Sequence, residues 1–159
     1  MLKNIDIDFK NVPYEFELFR DTEQLNVWKN AGHNIENTRI GINQSFDISQ
    51  LESIKEHFSY LSNIGICFHV LTPGNYLPEH RDYYGFYANK YNITDLNQIE
   101  RSVVFLENHK PGHFLTVENS VYANWSAGDI CTWQGTKLHS AINLGIDNRY
   151  TLQVTGILC

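Results

Sequence analysis

Arg149-Tyr150-Thr151-Leu152-Gln153-Val154-Thr155 alternates strictly between polar and apolar side chains. Successive side chains of an extended strand point to opposite faces, so Arg149, Thr151, Gln153 and Thr155 share one face and Tyr150, Leu152 and Val154 the other. The pattern predicts a strand over 149–157. Working back from it, short runs rich in β-branched and aromatic residues recur at 64–71, 102–107, 114–117, 129–133 and 137–144. Turn signals separate them, among them Pro73-Gly74-Asn75, Lys110-Pro111-Gly112 and Ser126-Ala127-Gly128-Asp129. Many short strands at close spacing predict a mainly β protein, a sandwich or a barrel.

Upstream of residue 63 the period changes. Segment 47–61 places Ile48, Leu51, Ile54, Phe58 and Leu61 at three- and four-residue spacings, behind Asp47 and Gln50 as a capping box. A weaker helical pattern covers 22–29, with Leu25 and Trp28 as its apolar contacts. Helices first and strands later predict a single domain over 1–159, with 1–62 as helical support on the outside of one sheet and 63–159 as the β core. Segment 83–98, with Tyr83, Tyr84, Phe86, Tyr87 and Tyr91, breaks the strand pattern and reads as an insertion of the length active-site lids have.

The composition narrows the function classes. The chain has 159 residues, within the roughly 100–200 of one domain, and a formal net charge of −6 with only 12 Lys+Arg. A nucleic-acid or anionic-membrane surface needs a concentrated basic patch, so neither partner is expected. Any anionic ligand must be caught by individually placed cations. Cys67, Cys131 and Cys159 form no C-x-x-C pair and no even disulfide framework. The first eight residues carry Asp6 and Asp8 where a signal peptide has a basic start, and no run approaches the ~20 apolar residues of a membrane span. The expectation is a cytoplasmic protein with reduced thiols.

The chemistry concentrates in a few side chains. His33, His57, His109 and His113 sit on a helix or beside turns and call for no function, while His69 lies in an apolar strand. His80-Arg81-Asp82 is different, because residues two apart on an extended chain put an imidazole and a carboxylate on one face. His139, in a later strand-like run, can return beside them as a third ligand. Two histidines and a carboxylate with open positions form the facial triad of non-haem Fe(II), whereas a structural zinc site wants a fourth protein ligand. A surface His80–Asp82 pair with His139 in the core is the plain alternative. An inward Arg149 must be paired, since burying a lone guanidinium is costly. The partner is either a protein acid or a ligand carboxylate, gripped by the guanidinium fork and the Thr151 hydroxyl. Arg101, opening another strand, is a second candidate clamp.

Taken together, His80-x-Asp82, His139, and then Arg149 and Thr151 about ten positions on resemble the 2-oxoglutarate/Fe(II)-dependent oxygenases. Trp125-Ser126-Ala127-Gly128-Asp129, Trp133, His139-Ser140-Ala141-Ile142-Asn143 and Arg149-Tyr150-Thr151-Leu152 look like the aspartyl/asparaginyl β-hydroxylase-type proteins and their bacterial amino-acid (proline) hydroxylase relatives. The likeness covers about 64–157. Asp82 departs from the aspartyl/asparaginyl hydroxylases proper, which tend to lack the metal carboxylate, and favours the relatives with a complete triad. Prolyl 4-hydroxylases share the Pro-Gly turn but end in a lysine clamp.

The resemblance implies a double-stranded β-helix, that is, a cupin-like jelly roll with the N-terminal helices on its major sheet. It also implies Fe(II) on His80, Asp82 and His139, 2-oxoglutarate as cosubstrate on Arg149 and Thr151 with Arg101 near its other carboxylate, and O2 as oxidant. Tyr76, Tyr83, Trp133 and Asn143 would line or orient the cavity. The implied reaction hydroxylates an unactivated C–H of a free amino acid or of a peptide or protein side chain, releasing succinate and CO2. Prolyl-hydroxylase-type modification, a cupin-like metalloenzyme without a keto acid, and a non-enzymatic jelly-roll binding module are the alternatives.

Overall fold

The structure is a computed structural model that describes residues 2, 5 and 7–159. Met1, Lys3, Asn4 and Asp6, on which the leader reading partly draws, lie outside the described residues. Among the described residues no helix is long and apolar enough to cross a membrane.

The strand that decides the fold, β10 (Arg149–Leu158), runs through the middle of a six-stranded antiparallel sheet. On one side it pairs with β3 (Leu61–Leu71), which pairs in turn with β2 (Ile40–Asn43) and then β1 (Glu15–Glu17). On the other side lie β5 (Ile99–Phe105) and β8 (Ile130–Gln134). A second antiparallel sheet has the order β4 (Tyr76–His80), β9 (His139–Asn143), β6 (His113–Val117) and β7 (Ser120–Tyr122). Val103, Phe105, Cys131 and Trp133 of the first sheet pack on Leu115, Val117 and Ala141 of the second, so the two sheets face each other. This is the mainly β jelly roll of a double-stranded β-helix, as expected.

The alternation of β10 is realised. Arg149, Thr151 and Gln153 face the space between the sheets, while Leu152 and Val154 lie in an outer core under Leu51, Ile54 and Phe58. Those three hydrophobes come from the segment read as one helix over 47–61, and here the structure differs. The Asp47–Gln50 capping box is present, but it starts only a 3-10 turn, Ile48–Gln50. Leu51 leaves helical backbone at φ −126°, α2 occupies Glu52–His57, and Leu61 already begins β3. The four apolar side chains still reach one core, because a short helix followed by a strand satisfies the same burial as a continuous helix.

The predicted helix at 22–29 is α1 (Thr22–Asn30), capped by Asp21, whose side chain accepts from the Gln24 amide at 3.0 Å. It does not lie on the outer face of the large sheet. Trp28 wedges between Ile40 and Leu71 of that sheet and Leu77 of the other, closing one end of the sandwich. Residues 1–62 are also not purely helical support, since they contribute β1 and β2 to the large sheet. The insertion at 83–98 forms α3 (Gly85–Tyr91) and a 3-10 turn. It packs Tyr84 and Ala88 against Ile99 rather than lying as a loose lid.

Candidate metal centre

β4 and β9 pair so that His80 stands directly opposite His139. The ladder is irregular between Leu77 and His80, where Pro78 has no amide proton to donate. That bulge frees the Pro78 carbonyl to accept from His80 Nδ1 at 2.8 Å, and the Lys137 carbonyl accepts from His139 Nδ1 at 2.9 Å. A carbonyl can only accept, so each Nδ1 carries a proton, and in the neutral ring Nε2 is the nitrogen left to bind a metal. Both Nε2 atoms turn to Asp82, which follows the end of β4. His80 Nε2 lies 3.7 Å from Oδ1 and His139 Nε2 3.4 Å from Oδ2.

One donor atom from each of His80, Asp82 and His139 fits within 4.8 Å of the others. The His80 ring is buried under Phe19 and Trp28, with ring centroids at 4.7 and 5.6 Å. Burial, reinforced by the adjacent His139, pushes its pKa down to about 4. It therefore stands as a neutral donor at neutral pH. Burial acts to raise the Asp82 pKa, but the Arg101 guanidinium, with His139 and His80, outweighs it and holds the carboxyl below the usual range. Two imidazoles and one carboxylate suit a divalent first-row cation such as Fe(II) and leave positions open for other ligands. The reading of His80 and Asp82 as a surface pair does not hold, because His80 is only 3% exposed.

The triad opens into a cavity of about 400 Å³ between the sheets, lined also by Arg101, Trp133, Arg149 and Thr151. Arg149 is 4% exposed, and its Nε and Nη2 are buried without a hydrogen-bond partner. No acid forms an ion pair with it among the described residues, so the internal salt bridge is not there. Its neighbours are aromatic: the guanidinium carbon lies 5.6 Å from the Trp125 ring and 5.9 Å from that of Phe105, which stack on each other at 4.0 Å. Burial pushes its pKa down to about 10, and the group remains a cation at neutral pH. Thr151 faces the same cavity, in register with His69 on β3 and Phe105 on β5.

Other expected residues fall differently. Arg101 donates from Nη1 to Asp82 Oδ2 at 2.8 Å, so in this structure its partner is the carboxylate of the candidate triad. Trp133 lines the cavity beside His139, ring centroids 4.9 Å apart. Tyr83 stands at the mouth and is largely exposed. Tyr76 and Asn143 do not line the cavity. Tyr76 pairs with His33 Nδ1 at 3.2 Å on the far side of β4. Asn143 is fully buried and ties the β9–β10 turn, donating to the carbonyls of Leu71 and Asp147 and accepting from Gly145. Of segment 83–98, Tyr83, Tyr84 and Gly85 reach the cavity, while Tyr87 donates to the Asn63 carbonyl away from it.

Sequence reading underweighted His69. It lines the cavity between Ile42 and Thr151, and burial, then the charges of Arg101 and Arg149, push its pKa down to about 3. Its place on the inward face of an alternating strand was the available signal. Phe19 was missed because the wall it forms belongs to an irregular stretch.

No family model matches the chain. No curated protein matches it either. Among solved structures it is similar to a cupin-2 domain from Rhodospirillum rubrum, at 12% identity and a TM-score of 0.48 over 90% of this chain and 69% of that one. It is also similar to a protein from Thermotoga maritima described as a predicted oxalate decarboxylase, at 15% identity and a TM-score of 0.48 over 76% and 82%. The cupin domain of Cnp3 from Schizosaccharomyces pombe aligns at 8% identity and a TM-score of 0.47 over 74% and 61%.

Proposed function

We propose that the protein is a 2-oxoglutarate- and Fe(II)-dependent oxygenase that hydroxylates an unactivated C–H of an amino acid or of a peptide or protein side chain. The observation that carries this reading is Arg149, a buried guanidinium with no carboxylate partner among the described residues, which shares one cavity with a His80–Asp82–His139 donor set. Leaving such a cation unpaired is costly unless a ligand supplies the anion. A metalloenzyme that used the same three ligands without an anionic cosubstrate would leave Arg149 without a task.

The residues divide the work. His80 Nε2, His139 Nε2 and the Asp82 carboxylate hold the metal. Arg149 and the Thr151 hydroxyl anchor the distal carboxylate of the cosubstrate by a fork and a hydroxyl, which sets its orientation. Phe19, Leu77, Leu115, Trp133 and Ala141 keep the cavity apolar around the donors and limit water. When bound, Fe(II) with 2-oxoglutarate supplies the oxidative chemistry, reducing O2 as the keto acid is decarboxylated to succinate and inserting oxygen into the substrate C–H.

The test is anaerobic titration with Fe(II) and 2-oxoglutarate, in which a weak visible charge-transfer band is expected only when both are present. In Arg149→Met the 2-oxoglutarate requirement rises about 10–100-fold, as for loss of a charge-assisted pair, while Fe(II) binding stays near that of the parent. Without ligand, Arg149→Met melts above the parent because the unpaired charge is gone. An absent band, or an unchanged cosubstrate requirement in the variant, would show the assignment to be wrong.

A further inference from the structure

The three metal donors are not held alike. His80 and His139 sit in paired strands and each is locked by a carbonyl two residues upstream. Asp82 follows the last residue of β4, in a stretch of 81–84 with no regular hydrogen-bonded structure. Nothing in the ladder fixes where its carboxylate points. Besides the two imidazoles, the group that reaches it comes from the opposite sheet and makes the shortest contact: Arg101 Nη1 donates to Oδ2 at 2.8 Å.

Arg101 is itself firmly placed. Its backbone on β5 is in register with Thr155 on one side and Trp133 on the other. Its guanidinium carbon lies 4.9 Å from the Tyr84 ring, and Tyr84 donates through its hydroxyl to the Gly135 carbonyl at 3.1 Å. Tyr84 is buried, packs on Ala88 and Ile99, and adopts left-handed backbone at φ 53°, which a bulky residue takes up only where its surroundings impose it. Tyr84, Arg101 and Asp82 form a continuous brace from the start of α3 to the metal donors.

We propose that Arg101, braced by the ring of Tyr84, is a positioning residue that fixes the Asp82 carboxylate for metal binding and engages Oδ2, so that Oδ1 is offered as the single metal donor. The arrangement couples the segment carrying α3 to the affinity and geometry of the centre. A guanidinium fork suits this because it is planar, permanently charged and stacks on an aromatic face, three properties that lysine does not combine. The inference rests on the metal centre but not on the cosubstrate, so its test contains no keto acid.

The experiment is titration of the full chain with Co(II), read by binding isotherm and by the visible d–d bands. Arg101→Met is expected to weaken Co(II) binding about 10–100-fold, the range for loss of a partner behind a metal ligand, and to alter the bands. Tyr84→Leu moves both readouts the same way with Arg101 intact, and covers the case in which Arg101→Met fails to fold. Arg101→Lys recovers only part of the loss. In an Asp82→Ala background, Arg101→Met changes Co(II) affinity no further, because the two residues act as one unit. Unaltered affinity and bands in Arg101→Met, tighter binding, losses that add with Asp82→Ala, or failure of the parent to bind Co(II) would each overturn the proposal. A negative 2-oxoglutarate titration with these Co(II) effects intact would remove the oxygenase reading and leave this one standing.

Discussion

His69 shows how one side chain reports on the charge of the cavity around it. Its pKa, pushed down to about 3 by burial and then by Arg101 and Arg149, lies below the ordinary 6.5. Between those values the unfolded chain binds a proton that the folded chain refuses. Stability from this group is therefore complete above pH 6.5 and is lost as pH falls toward 3. His80, pushed down to about 4, contributes to the same acid limb. The expected outcome is that His69→Gln, followed by thermal melting across pH, loses stability less steeply below pH 6.5 than the parent while keeping part of the slope. Equal slopes would mean that His69 is protonated as readily in the folded state as in the unfolded one. The same scale shows what sequence could convey. H-x-D, a distal histidine and an inward arginine were legible because a two-residue period settles which side chains share a face. The Arg101–Asp82 contact was not, since it joins two sheets and no local pattern encodes it.

Among the elements, the turn joining β9 to β10 sets where Arg149 enters the cavity, and Asn143 holds it. The side chain is fully buried and makes three hydrogen bonds to backbone, to Leu71, Asp147 and Gly145. Asn143→Ala leaves two carbonyls and one amide short of a partner. It is expected to cost about 2–4 kcal/mol from the range for buried unsatisfied groups, seen as a lowered denaturation midpoint. Below its melting range the variant keeps Co(II) affinity, because Asn143 touches neither the triad nor the cavity. A large loss of metal affinity in the folded variant would restore the role expected from sequence. Sequence alone could not separate the two roles, because a conspicuous polar residue near the distal histidine looks the same whether it serves a site or a turn. The split of 47–61 has a similar origin: Leu51, Ile54, Phe58 and Leu61 share one core whether the chain continues as helix or changes to strand. β1 and β2 escaped notice as strands of three and four residues. Gly41 in β2 carries no hydrophobe yet is required, since a Cβ there would press on Val70 and the Phe16 ring.

At the scale of the molecule, the acidic chain concentrates four of its 12 Lys+Arg, Arg20, Arg81, Arg101 and Arg149, around a single cavity. This answers the scarcity of cations noted in the composition. The ligand-holding groups are also divided between the two sheets. The candidate metal donors belong to the four-stranded sheet and the turn after β4, and both inner arginines belong to the six-stranded one. A metal ion and an anion held together in this cavity would act as a rivet through two plates that otherwise meet through side-chain packing and polar contacts such as the Asp82–Arg101 pair and the Asn143–Leu71 hydrogen bond. Hydrogen–deuterium exchange should register this as slower amide exchange in β4, β9 and β10 together when Co(II) and 2-oxoglutarate are both bound, with smaller protection from Co(II) alone. Protection confined to β4 and β9 would mean that the two plates are not joined. If they are, loading the cavity stiffens the whole shell at the moment its contents become reactive, and an empty protein is free to breathe and exchange them.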